Sequence, residues 1–188
     1  MIDDGVLGVL WVAFMVAQGI GARRAAPTAY RDKDPFYPFY LLATVLGLLL
    51  ILTALGDVSI LGTHVVPEHP AWFWAGFAVT AIGLGIATWA RQRLGRFWSS
   101  AIELKAGHKL VQDGPYRLVR HPVYAGILLA ALGSGLADGD VGSAVGFAII
   151  AAGFIAKLKR EERFVAAQFG EEWRLWRKRT WALVPFVF

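Results

Sequence analysis

The sequence predicts an all-α integral membrane protein built from five transmembrane helices. Three observations lead there. First, 56% of the 188 residues are hydrophobic and only 18% are charged, where a soluble domain carries about 25% charged residues. Second, five apolar runs approach the ~20 residues that a spanning helix needs. They are residues 6–21, 38–55, 71–90, 123–137 and 141–156. Third, every Lys and Arg falls in alternate connections: four in residues 22–37, seven in 91–121 and eight in 157–188, together all 19. The other side carries Asp3, Asp4, Asp57, Glu68, Asp138 and Asp140 and no basic residue. Because basic residues collect on the cytoplasmic side of short loops, five spans with the N-terminus outside and the C-terminus inside follow.

The elements justify themselves in order. The first run is a span and no secretory signal, since Asp3 and Asp4 stand where a positive region should be. The second and third are long and apolar. The fourth and fifth are short but extend inward, one through Arg120-His121-Pro122 and the other through a polar continuation to Phe169. Asp138-Gly139-Asp140 is a tight turn, so these two helices form an antiparallel hairpin. Pro122 suits the first position of the fourth helix, where a missing N–H costs nothing. The free amides there, beside Arg120 and His121, favour an anion such as a carboxylate. Gly142 and Gly146 permit close helix approach.

Residues 141–169 would make a helix about 43 Å long, longer than a core of about 30 Å, so Glu161 and Glu162 fall at the inner boundary. One of the two is expected to face the Arg120 and His121 cluster, because a carboxylate beside lipid needs a partner. Gly170 reads as a helix stop, and Glu171 to Arg179 as a short basic, Trp-bearing helix on the membrane surface. Several classes drop out. The absence of cysteine removes disulfides, thiolate metal sites and cysteine nucleophiles. His64 and His69 read as solvated loop residues, so no metal is expected. The basic residues flank apolar runs instead of forming a soluble face, which argues against nucleic acid. With no long linker, residues 1–188 read as one domain.

Two blocks in the C-terminal half then stand out. The first comprises Leu110, Val111, Gly114, Pro115, Tyr116, Arg120, His121, Pro122, Tyr124 and Gly126; the second comprises Glu161, Glu162, Phe169, Gly170 and Pro185. In their order and separation they resemble the isoprenylcysteine carboxyl methyltransferase and phospholipid methyltransferase family of integral membrane enzymes. Trp173 and Trp176 occupy positions where that family usually has tyrosines, keeping the aromatic surface but dropping two hydroxyls. The resemblance implies that residues 91–188 form the catalytic half, with a cytosol-facing pocket for S-adenosylmethionine. Its cofactor contacts would fall on His108, Leu110, Val111, Gly114, Tyr116, His121, Tyr124, Gly126 and Glu162. It also implies a lipophilic small-molecule or lipidated acceptor, of isoprenylcysteine type or similar, entering from the membrane lipid.

For such chemistry the expected catalytic residues are Arg120, Glu162 and Arg177. Arg120 would grip an acceptor carboxylate bidentately and Arg177 would be a second clamp; an amine acceptor would instead need Glu162 or His121 as base. Two other readings compete. An NADPH-dependent membrane reductase of sterol or steroid type has a similar tyrosine-glycine turn, although Ile127, Leu128 and Leu129 after Gly126 supply no acidic residue of the kind those enzymes carry. A non-catalytic membrane scaffold is the third.

Overall fold

The structure, a computed structural model, describes residues 5–52, 59–67 and 69–187. The expected acidic residues Asp3, Asp4, Asp57 and Glu68 lie outside the described residues, whereas Asp138 and Asp140 sit at the predicted turn.

Each apolar run is a helix: α1 (Gly5–Ala22), α2 (Tyr37–Leu52), α3 (Pro70–Leu94), α4 (Pro122–Asp138) and α5 (Val141–Arg177). By length and composition α1, α3 and α5 suffice to cross a membrane, and α2 and α4 are shorter apolar helices. Large apolar side chains point outward, among them Val9, Val12, Leu42, Leu49 and Ile82, as lipid permits and water does not. The α5 helix runs on past the apolar stretch until Gly170 breaks it with φ 50° and ψ −114°. That is the predicted stop, and a last helical segment follows it to Arg177.

Small residues set the packing. The closest pair is α3 against α4, with α2 laid along α5. A Cβ placed at Gly83 would stand 2.5 Å from Ala130 N, and one at Gly126 would stand 2.6 Å from both Ala87 N and Gly83 O, so the two backbones touch. Gly146 of α5 meets α2 in the same way, at 2.5 Å from Gly47 O. Buried polar groups satisfy one another across helices: Trp11 Nε1 donates to Ser134 Oγ at 3.0 Å, and Thr80 Oγ1 lies 3.1 Å from the same oxygen. No water is needed there.

The connections gather at opposite ends of the bundle. At one end Gly139, left-handed at φ 80°, caps α4, and Asp140 caps α5 by accepting from Ser143 N at 2.6 Å. Residues 63–66 hydrogen-bond to this turn through Val65 N, Val66 N and Thr63 O. His64 and His69 are exposed here, and His69 caps α3 through Nδ1. Among the described residues no metal-binding group of side chains occurs. The other end gathers the basic connections, and it holds an element the apolar pattern did not predict. A two-stranded antiparallel ladder pairs β1 (Thr28–Arg31) with β2 (Glu103–Lys105). Three or four residues are too short a signal for strand periodicity; the ladder exists because Glu103 is clamped by Arg31, Lys105 and Ser99.

Candidate active site

The basic end contains a cavity of about 110 Å³, partly open to solvent, between α4, α5, the segment before α4 and the last helical segment. Three features of the chain build its wall.

The first is the turn before α4. Gly114, at φ 56°, starts a 3₁₀ turn that buries Tyr116. The chain then runs alongside residues 181–182: Arg120 N donates to Trp181 O at 2.8 Å, His121 N to Ala182 O at 3.0 Å, and Trp181 N to Leu118 O at 3.1 Å. This strap fixes where Arg120 and His121 enter the cavity. The second feature is α5. Glu162 Oε1 accepts from Arg120 Nε at 2.7 Å and lies 3.3 Å from His121 Nε2. Glu161, one residue earlier, accepts from Tyr124 OH at 2.7 Å. The third is the segment beyond the Gly170 break, whose Trp173 and Trp176 are both buried. Trp176 Nε1 donates to Tyr116 O at 3.1 Å, tying that segment to the turn.

The electrostatics follow from these contacts. Arg120 commits Nε to Glu162 and Nη1 to the carbonyls of Thr180 and Arg177. None of the hydrogen bonds among the described residues uses Nη2, and Arg120 is part of the cavity wall. Burial holds the Tyr116 phenol above its ordinary pKa, and Glu161 raises it further, so it stays neutral. Burial likewise lowers the His108 imidazole below its usual value, outweighing Glu161, so it is uncharged near neutral pH. Its Nδ1 accepts from Lys105 N at 3.3 Å, and its ring lies between Phe97 and Phe169 at 5.1 and 6.0 Å. His121 and Tyr124 stack in parallel at 5.5 Å.

Of the residues singled out from sequence, His108, Leu110, Val111, Tyr116, Arg120, His121 and Tyr124 line the cavity together. Four do not. Gly126 is pressed against Ala87 and Gly83 of α3, so its missing side chain admits a helix and not a ligand. Gly114 shapes the turn and contacts Arg93. Glu162 stands behind Arg120 and His121, binding both, while Glu161 takes the place in the wall. Arg177 is exposed and reaches the cluster only through its carbonyl, which is the acceptor for Arg120 Nη1 at 3.5 Å. It forms no second clamp. Nor does Arg120 present its full fork, since Nε and Nη1 are taken. Sequence reasoning also missed Trp98 and Ser99, which complete the wall from the end of α3; only their nearness to the first block hinted at it.

Residues 71–172 match the phospholipid methyltransferase family. That is more than half of the chain, and it contains both blocks up to Gly170. The chain belongs to the isoprenylcysteine carboxyl methyltransferase and phospholipid methyltransferase family. It is 32% identical over 153 residues to protein-S-isoprenylcysteine O-methyltransferase A of Arabidopsis thaliana, covering 79% of this chain and 74% of that protein. Protein-S-isoprenylcysteine O-methyltransferase B of the same plant is 31% identical over 121 residues, 62% of this chain and 61% of that protein. The chain thus spans about three-fifths of the length of the first curated relatives it matches. A solved eukaryotic intramembrane Ras methyltransferase, isoprenylcysteine carboxyl methyltransferase, shares the fold with a TM-score of 0.56 at 20% identity, over 82% of this chain and 55% of that one. The membership covers the hairpin, the turn before it and α3, the elements that bear most of the cavity wall.

Proposed function

We propose that this chain transfers a methyl group from S-adenosylmethionine to the carboxylate of an isoprenylcysteine-type lipophilic acceptor, at the cytosolic face of a membrane. The observation that carries the reading is Arg120, with Nη2 in no hydrogen bond among the described residues, in a cavity otherwise lined by aromatic faces and the Glu161 carboxylate.

The residues present fit the cofactor. A sulfonium cation is favoured by aromatic faces such as Tyr116, Tyr124 and Trp173 and by a nearby carboxylate, Glu161. When bound, S-adenosylmethionine supplies an electrophilic methyl on a positively charged sulfur. The chain's own part is positioning. An acceptor carboxylate, ordinarily ionised at pH 7, needs no base; Arg120 Nη2 holds one oxygen and leaves the other to react, which is orientation with little reorganisation. Glu162 keeps the guanidinium aimed, and the Trp176 to Tyr116 bond holds the last helical segment against the turn that forms the wall. An amine acceptor fits less well, because Glu162 already accepts from Arg120 and meets His121 on the same oxygen.

The supporting frame is a single domain over residues 1–188 with five crossings, the N-terminus outside and the C-terminus cytoplasmic. The sorting of all Lys and Arg to the cavity end supports that orientation. The Trp-bearing segment after Gly170 lies at the inner surface in this arrangement.

Purified protein in lipid vesicles, given methyl-labelled S-adenosylmethionine and an S-farnesylated cysteine derivative, should yield a base-labile methyl ester one CH₂ heavier than the acceptor. Label appearing only on lipid amines would overturn the acceptor class. Binding of NADPH with none of S-adenosylmethionine would replace the reading with a reductase, and binding of neither with a scaffold.

A further inference from the structure

At the same end of the bundle, against the ring of Trp98, stands an arginine the reaction does not use. Arg91, in the last turn of α3, is only 6% exposed. Its Nη2 donates to Gln18 O at 3.3 Å, its guanidinium lies 3.8 Å from the centroid of the Trp98 ring, and its Nε has no hydrogen-bond partner. Gly21 makes room for it, since a Cβ there would stand 2.9 Å from Nη2. Among the described residues no carboxylate pairs with it. A buried cation without a counter-charge is costly, so the missing anion is a question the fold itself raises.

Arg91 lines an open cavity of about 510 Å³ between α1 and α3, and the other charged residues of its wall are Arg24 and Arg96. Three arginines line it with no acid, and of these Arg96 also donates from Nη2 to Ala106 O at 3.4 Å. This cavity is continuous with a second groove along the same two helices: Ala17, Thr88 and Gln92 belong to both. The groove, about 440 Å³, is walled by apolar side chains including Leu10, Phe14 and Leu84. A cationic pocket at the helix ends leading into an apolar slot between membrane helices matches a phosphodiester attached to an acyl chain.

We propose that the α1/α3 cleft binds an anionic glycerophospholipid of the surrounding leaflet, with its phosphate on Arg91, Arg24 and Arg96 and one acyl chain in the groove. Charge complementarity selects the occupant, since a zwitterionic lipid brings its own cation to a pocket that already holds three. The bound phosphate supplies the counter-charge that Arg91 lacks, and it steadies the guanidinium stacked on Trp98, a wall residue of the neighbouring cavity.

The test uses the full chain in detergent and reads lipid binding, so it is independent of methyl transfer. Thermal unfolding and native mass spectrometry are compared with added phosphatidylglycerol, phosphatidylcholine, sn-glycerol 3-phosphate and inorganic phosphate. Phosphatidylglycerol should raise the unfolding midpoint by about 2–4 °C over phosphatidylcholine and remain bound in the gas phase. Arg91→Gln should abolish that difference, whereas Arg93→Gln, whose arginine pairs with Asp113 instead, should keep it. If Arg91→Gln does not fold, the exposed pair Arg24→Gln and Arg96→Gln together should weaken phosphatidylglycerol binding about tenfold or more. Equal binding of the two lipids, or a preference surviving both variants, overturns the proposal. A full effect from inorganic phosphate alone makes this a free-phosphate site and also overturns it.

Discussion

Arg120, in the segment just before α4, and Glu162 of α5 are 42 residues apart and meet at 2.7 Å with side chains only 8% and 16% exposed. The pair is the hinge of the proposed site, because it decides where Arg120 Nη2 points. Breaking a buried pair leaves the surviving charge desolvated, at a cost of about 3–5 kcal/mol. Glu162→Ala is therefore expected to lower the unfolding midpoint and to reduce kcat for carboxyl methylation by about two orders of magnitude through misplaced geometry. Arg120→Lys keeps the charge but not the planar donors, and should fold better than Arg120→Ala while recovering little activity. Thermal unfolding beside a methyl-transfer assay separates the two effects; an active Glu162→Ala variant would remove Glu162 from the mechanism.

Gly126 yields a different expectation, because a Cβ there collides with the α3 backbone at 2.6 Å. Neither helix backbone can step aside without disturbing Gly83 and Ala87, so Gly126→Ala should destabilise by at least the 1–3 kcal/mol typical of overpacking. The protein that does fold should bind S-adenosylmethionine with unchanged affinity. A selective loss of cofactor affinity at undiminished stability would instead return Gly126 to the ligand site.

These two residues mark what was legible in the sequence. Helix positions, the Gly139 turn, the Gly170 break and the convergence of Arg120, His121 and glutamate could be read because apolar length, charge sorting and turn chemistry are local signals. A glycine in a motif does not say whether it admits a ligand or a helix, and only the α3 backbone beside Gly126 decides it. Glu161 and Glu162 are adjacent, and which of them lines the cavity depends on how α5 is rotated about its axis. The strap of residues 181–182 on residues 118–121, and the β1/β2 ladder, pair segments too short to carry a period. Arg177 looked like a clamp because it is basic and near in sequence, but its side chain turns to solvent.

Trp176 stands where the family usually has a tyrosine, and its indole N–H is used: it donates to Tyr116 O at 3.1 Å. Trp176→Phe leaves that buried carbonyl without this partner and loses ring volume. A loss of about 1–3 kcal/mol is expected from the unsatisfied group, seen as a lower unfolding midpoint, together with a raised KM for S-adenosylmethionine as the wall loosens. Wild-type stability in Trp176→Phe would show that the N–H is dispensable.

Glu103, in the β1/β2 ladder at the basic end of the bundle, is a buried carboxyl held far below its ordinary pKa. Burial alone would raise its pKa, but hydrogen bonds from Lys105, Ser99 and Arg31 overcome burial and hold it at about 2, against an ordinary 4.5. A carboxyl depressed in the folded state stabilises the fold fully above its unfolded pKa, and that contribution disappears as pH falls through the folded value. The window is therefore pH 4.5 down to about 2: the wild-type protein should lose stability progressively across it, most of the Glu103 share being gone near pH 2. Glu103→Gln cannot titrate and leaves Lys105 and Arg31 without their carboxylate. It should be less stable than wild type at pH 7, with the gap closing as the pH approaches 2. Hydrogen exchange at the β1 and β2 amides, followed from pH 6 to pH 3, localises the effect: protection should fall there first in the wild type and should already be weak in Glu103→Gln. If the gap between the two proteins stays constant over that range, Glu103 is not the titrating group and the ladder is held by its backbone pairing alone.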